Sequence, residues 1–286
     1  MKKISCIKLP FLLVVILLHN ITEAQKFEET IFKELTIENK SKVNFFVLQN
    51  VKGQVHIEGY DGGNIKMEIK KIITAKNQDA LELGIDEINL GIEEKGKYIY
   101  VYLDSPWTDF KLSSGRINYN ENGNSGLNRY DYMLNFKVKV PHNINLKATT
   151  ITNGDIIVKD IFGDEIIANN IKGAITLDNV SGKTKVNAHN EDITINYYTN
   201  PDGRSSYHTL NGNIDITFKE NLNADVLFKG LKGTIYTNFK TSKSDYTKRK
   251  NIKKRGRKHH NESFKIGKGG VKLDFHVLNG DVLLRD

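Results

Sequence analysis

The densest chemistry in the sequence lies between residues 240 and 262, where ten lysines and arginines stand against two acids, Asp245 and Glu262. That segment alone carries a charge equal to the formal net charge of the whole chain, +8. The rest of the protein is close to neutral, so the basicity belongs to one short stretch and not to a basic body. Within it, Lys248, Arg249, Lys250, Lys253, Lys254, Arg255, Arg257 and Lys258 form a candidate polyanion-binding set, because clustered cations gain affinity by displacing counterions. Acidic surface polysaccharide, teichoic acid-like polymer, lipopolysaccharide phosphate and extracellular DNA all present such charge. Tyr246 is the only aromatic residue in the stretch, too few rings for base stacking, which speaks against sequence-specific nucleic-acid recognition. A solvated, charged loop is the plainer reading of the same residues.

Other chemistry-bearing residues point to less. His259-His260 beside Glu262 lacks the spacing and supporting shell of a dedicated metal site. Asp155, Asp192 and Asp281 recur at turn positions; Asp shapes turns more often than it binds calcium, and no calcium-repeat nonapeptide is present. Trp107, Tyr119, Tyr130 and Tyr132 border a stretch rich in Ser, Asn and Gly, where rings either stack on sugars or pack back onto the body. There is no Gly-x-Ser-x-Gly elbow and no His-Glu-x-x-His pair, and the single cysteine, Cys6, sits in the N-terminal apolar segment. No catalytic, cofactor or metal set emerges, so an enzyme is not expected; a lyase-like groove acting on polysaccharide is the alternative.

The elements that must position these residues announce themselves by repetition. A hexapeptide with a turn pair followed by alternating apolar residues occurs as Asn153–Val158, Lys172–Leu177, Asn190–Ile195, Asn211–Ile216, Lys232–Thr237 and Asn279–Leu284, with an isolated copy at Lys52–Ile57. Successive copies are 19, 18, 21, 21 and 47 residues apart, and the long step contains the basic segment. Gly or Asn at the turn permits positive φ, and the alternation turns one side of each strand inward. A weaker beat, at Gly163 before Ile167 and Gly182 before Val186, implies at least two strands per coil. An antiparallel sandwich shares the strand spacing, but the same hexapeptide returning at every second strand is what stacked coils require.

The expected architecture is therefore all-β: a parallel β-solenoid, β-helix-like, with coils of about 19–21 residues over residues 142–286, carrying the basic insertion at 240–262. Residues 25–141 read as a less regular β-rich region, with strands near Val43–Val47, Ile65–Ile69, Tyr98–Leu103 and Leu134–Val140, a helical turn near Asn77–Leu83 and a long loop over Ser105–Asp131. Residues 1–24 read as a secretory signal: Lys2, Lys3 and Lys8, then apolar Pro10–Leu18, then Thr22-Glu23-Ala24, giving a mature start at Gln25. The apolar run breaks at His19-Asn20, too short for a span, and no later segment is apolar enough to cross as a helix. Without cysteines the mature chain must rely on a buried core or on stacked repeats for stability.

Val138-Lys139-Val140-Pro141 followed by Asn153-Gly154-Asp155, the coils up to Tyr197, and the ending Gly267-Lys268-Gly269-Gly270 through Asn279-Gly280-Asp281-Val282 resemble the bacterial putative-adhesin family. Asp104-Ser105-Pro106-Trp107 and Ser205-Ser206-Tyr207 fit it as well. The resemblance implies an exported β-solenoid of Bacteroidetes-type cell envelopes, found in the periplasm, at the cell surface or outside the cell, with no ligand residues to carry over. Stacked coils offer a long, rigid surface and the sequence shows no reaction centre, so the expectation is a non-enzymatic structural or adhesive module, with a surface polysaccharide or another envelope protein as the candidate partners. The basic insertion departs from the family pattern, where the corresponding connection is shorter.

Overall fold

The structure, a computed structural model, describes residues 24–37, 44–111, 113–119, 129–243 and 260–286. The apolar N-terminal segment, Tyr246 and all eight residues of the proposed polyanion set lie outside the described residues.

The first half of the chain runs through β1 (Gln25–Thr36), β2 (Phe45–Gln49), β3 (Val55–Tyr60), β4 (Asn64–Ala75), α1 (Gln78–Glu87), β5 (Asn89–Lys95) and β6 (Tyr98–Asp104). A hairpin of β7 (Thr108–Lys111) and β8 (Arg116–Tyr119) leads to β9 (Tyr130–Pro141). Thereafter strands come in twos: β10 (Asn145–Thr150) with β11 (Ile156–Lys159), β12 (Glu165–Asn170) with β13 (Ile175–Val180), and β14 (Lys183–Ala188) with β15 (Ile193–Tyr197). The series continues through β16 (Ser205–Asn211) with β17 (Ile214–Thr217), β18 (Ala224–Lys232) with β19 (Ile235–Thr237), the flanking strands β20 (Thr241–Lys243) and β21 (His260–Ile266), and β22 (Val271–Asn279) with β23 (Val282–Arg285).

Two large sheets result, and each two-strand rung gives one strand to each. The first sheet is ordered β1-β4-β9-β3-β11-β13-β15-β17-β23-β19, the second β20-β21-β18-β22-β16-β14-β12-β10-β2-β6-β5. From β9 to β19 in the first, and from β18 to β6 in the second, every neighbouring pair is parallel. The margins are antiparallel, at β1/β4/β9, at β5/β6 and at β18/β21/β20, so both sheets are mixed; the first two margins lie in residues 25–141, read only as β-rich, while β18/β21/β20 departs from the parallel coils expected over 142–286. At β5/β6 the reason is local: Lys95 and Tyr98 face each other across a two-residue turn at Gly96-Lys97, a connection that can only return the chain antiparallel.

All seven hexapeptide copies open strands of the first sheet, and their alternate residues line the core. Ile156, Val158, Ile175, Leu177, Ile193, Ile195, Ile214 and Ile216 are fully buried. Opposite them the second sheet contributes Phe46, Leu48, Leu146, Ile166, Val186, Tyr207 and Phe275. The isolated copy at Lys52–Ile57 lies next to the first of the series, since Val55 is in register with Ile156 and Ile57 with Val158. Thus β2 and β3 share both sheets with the later rungs. The glycines at this corner hold their place chiefly because rungs approach closely: a Cβ on Gly173 would stand 2.1 Å from the Gly154 carbonyl oxygen, and one on Gly280 only 1.9 Å from that of Gly212.

Chain order and spatial order part at the last rung. β22 and β23 lie between β16/β17 and β18/β19, so the final copy is an inner rung and the copy at Lys232–Thr237 is the outer one. The stretch read as a long loop holds the β7/β8 hairpin, whose Phe110 covers Tyr100 and Tyr102 at ring distances of 5.5 and 4.8 Å. The helical turn becomes α1, capped by the Asn77 side chain, which accepts the Ala80 N–H at 2.9 Å. Among the described residues no helix is long and apolar enough to cross a membrane.

Candidate functional site

The sequence-derived candidates resolve unevenly. The basic segment leaves the second sheet after β20 and re-enters at β21, two short strands that pair antiparallel through Ser242–Lys265 and Lys243–Phe264. Both ends of the segment therefore emerge at one margin of that sheet. The corner acids are engaged in holding rungs together. Asp155 accepts the Ala174 N–H at 2.8 Å, Asp192 the Asn213 N–H at 2.6 Å, and Asp281 the Thr234 N–H at 2.8 Å, each in the next rung. Asn213 does the same for Asp281, and the amides of Asn190, Asn211 and Asn279 join in a ladder. Among the described residues no group of three or more His, Cys, Asp or Glu is arranged to hold a metal ion.

The four aromatic residues around the long connection pack onto the body. Trp107 lies against Tyr132 at 6.2 Å, both buried, and the Tyr130 hydroxyl donates to Glu87 at 2.5 Å. Burial, with the Glu87 carboxylate beside it, pushes the Tyr130 hydroxyl well above the usual tyrosine range, and burial does the same for Tyr119. A second polar group sits in the core itself, where the hydroxyls of Thr184, Tyr197 and Tyr207 satisfy one another at 2.5 to 3.2 Å. Closed off from solvent, they secure packing and offer nothing to a ligand.

A concave site that sequence reasoning missed lies on the outer face of the first sheet, where β1, β4, β9 and β3 run side by side. It is a groove of about 400 Å³. Register builds it in two cross-strand rows, Phe32–Glu68–Lys137–His56 and Glu34–Lys66–Lys139–Glu58. Lys137 reaches Glu68 at 3.5 Å and Lys66 reaches Glu34 at 3.9 Å, while the Asn64 amide donates to Glu34 at 2.7 Å. Phe32 stands 73% exposed as one wall. Next to Lys137 at the end of its row, the His56 Nε2 is buried and has no hydrogen-bond partner among the described residues. Burial first, then Lys159, lowers its pKa; Glu58 pulls the other way and Lys137 adds a smaller lowering, and the net shift is downward, favouring the neutral imidazole. An exposed ring and alternating charges suit the grip of an extended polar chain; no serine, threonine or cysteine lines the groove. Its signal in the sequence is period-two charge on strands whose other face is apolar: His56/Glu58, Lys66/Glu68 and Lys137/Lys139.

No family model matches the chain, and no curated protein matches it. Among solved structures it is similar to a putative cell adhesion protein from Clostridium sporogenes, with 12% identity and a TM-score of 0.48 over 91% of this chain and 99% of that one. It is also similar to a putative adhesin from Bacteroides fragilis, with 8% identity and a TM-score of 0.31 over 90% and 96% of the two chains. Another similar structure is a putative lipid binding protein from Parabacteroides distasonis, at 9% identity and a TM-score of 0.25 over 91% and 96% of the two chains.

Proposed function

We propose that the protein is an exported, non-enzymatic parallel β-solenoid that serves as an adhesive or structural module of the cell envelope, its face carrying a polymer-binding groove. The observation that carries this reading is the division of labour across each rung: inward residues are spent on the core and corner side chains on inter-rung hydrogen bonds, leaving ordered rows of outward groups on a long face. Parallel stacks are suited to presenting such surfaces. In this reading residues 1–24 direct export, residues 25–286 form one stacked unit, and the groove takes a polar polymer such as surface polysaccharide. The basic segment is a second reading, favoured by both its ends emerging at one sheet margin, with Lys248 to Lys258 gripping polyanion.

Retention of the protein on a panel of neutral and acidic polysaccharides, at two salt concentrations, separates these. The groove reading expects Phe32→Ala with Lys137→Glu to weaken retention at least tenfold while deletion of residues 244–259 leaves it intact. The polyanion reading expects the reverse, with loss at the higher salt. Retention on none of the polymers removes both. Release of unsaturated or reducing ends from any polymer in the panel would instead make the protein an enzyme.

A further inference from the structure

The ends of the two sheets are not alike. The first sheet closes at one side on β19, three residues long, and the second on β20, also three residues, and on β5, seven residues. The remaining margin of the first sheet is β1, a run of twelve residues paired along its whole length with β4 and with no strand paired to its other edge among the described residues. A long uncovered edge is a template for strand addition unless it is shortened, bulged, covered or repelled by charge; the charges of β1, Lys26, Glu28, Glu29, Lys33 and Glu34, are of both signs. The inner face of β1 carries Phe27, Ile31 and Leu35, which pack on the core yet stay half-exposed, with Glu29 and Lys33 between them.

We propose that β1 is a homodimer interface, pairing antiparallel with β1 of a second copy so that the first sheet runs unbroken through both molecules. Two-fold symmetry perpendicular to the sheet keeps inner residues facing inner residues, which restricts the pairing to registers two residues apart. One register is self-complementary across the inner face. It sets Ile31 opposite Ile31 of the second copy, Phe27 opposite Leu35, and Glu29 opposite Lys33, each hetero-pair occurring twice. Neither Glu29 nor Lys33 forms a salt bridge within the chain among the described residues: Lys33 faces Met67 of β4, and Glu29 faces Lys71, with which it interacts through space, leaving its exposed carboxylate able to take a second cation. Moving the register by two sets Phe27 against Lys33 and Glu29 against Ile31, which wastes both the apolar and the charged groups. The one like-charge meeting in the favoured register, Glu28 with Glu34 on the outer face, is offset within each chain: Glu28 is held by Lys26 and Lys70, and Glu34 by Lys66 and Asn64. The contact is isologous, so it closes as a dimer and does not propagate as a fibre.

The test uses the full chain carrying Cys6→Ser, which leaves it without cysteine. Light scattering and sedimentation across a concentration series should show a reversible dimer. Glu29→Lys and Lys33→Glu should each weaken it about tenfold, and the double variant should recover it, since only a Glu29–Lys33 contact between copies is restored by the swap. Ile31→Cys should cross-link to a covalent dimer under mild oxidation, whereas Thr30→Cys, facing Phe32 of the other copy, should not. Circular dichroism on every variant separates loss of pairing from loss of fold. A monomer at all concentrations overturns the proposal. So does a dimer indifferent to the charge swap and to Ile31→Cys, or a monomer that instead takes up an unrelated extended peptide along β1.

Discussion

Single side chains in this protein are judged by what lies one rung away. Gly280 has φ of +139° and a Cβ there would meet the Gly212 carbonyl at 1.9 Å, whereas Gly96, at φ +60°, faces open space. Gly280→Ala should therefore cost about 3 kcal/mol or more, by forcing rungs apart, and Gly96→Ala only about 1 kcal/mol, the cost of a left-handed residue; urea denaturation of the two variants measures the contrast. The buried tyrosines make a second prediction. Burial raises the pKa of Tyr197 and Tyr207, Tyr197 the more, with each other's hydroxyls adding or subtracting lesser amounts. A raised folded-state value means their stabilising effect is complete below the ordinary tyrosine pKa of about 10 and is lost as the pH climbs above it, because only the unfolded chain can ionise there. Stability should hold to about pH 9 and then fall. Tyr197→Phe should reduce the slope at pH 10.5 to 11.5 by up to about 1.4 kcal/mol per pH unit, one proton's worth.

At the scale of elements, the β7/β8 hairpin shows how an outer face is managed. Phe45, Val47, Tyr100 and Tyr102 would form an apolar patch on the solvent side of the second sheet, but Phe110 and Ile117 of the hairpin pack against it. Phe110→Ala should cost about 1 to 2 kcal/mol and raise binding of a hydrophobic dye, with the solvent-facing rings and not the core as its source. The strand assignments from alternation stand close to the observed ones: Tyr98–Leu103 lies within β6 and Leu134–Val140 within β9, while β2 runs from Phe45 to Gln49, two residues beyond Val43–Val47. The hairpin itself was invisible. Thr108–Lys111 and Arg116–Tyr119 are four residues each, too short to establish a period, and they exist because an aromatic patch elsewhere gives them something to cover.

For the whole molecule, the insertion of the last rung sets cooperativity. β22 hydrogen-bonds both β16 and β18, and β23 both β17 and β19. Removing residues 271–286 would leave β18 and β19 without neighbours on that side and strip Phe275 from its stack on Tyr207 at 4.8 Å. Such a truncation should lose cooperative unfolding and amide-exchange protection well beyond the deleted strands, rather than shorten the stack by one unit.

What the sequence determined by itself was local and periodic: strand type, the inward side of each strand, the corner positions and the concentration of charge in one segment. These follow from side-chain alternation and backbone freedom, which act over a few residues. The tertiary structure alone decided which rungs are neighbours. Parallel pairing depends on hydrogen bonds between residues far apart in the chain, so the isolated copy at Lys52–Ile57 could not be seen to belong beside Ile156, nor the final copy to lie inside the one before it. The groove around His56 has the same origin, its lining drawn from β1, β4, β9 and β3, and the open edge of β1 exists only because the sheet ends there.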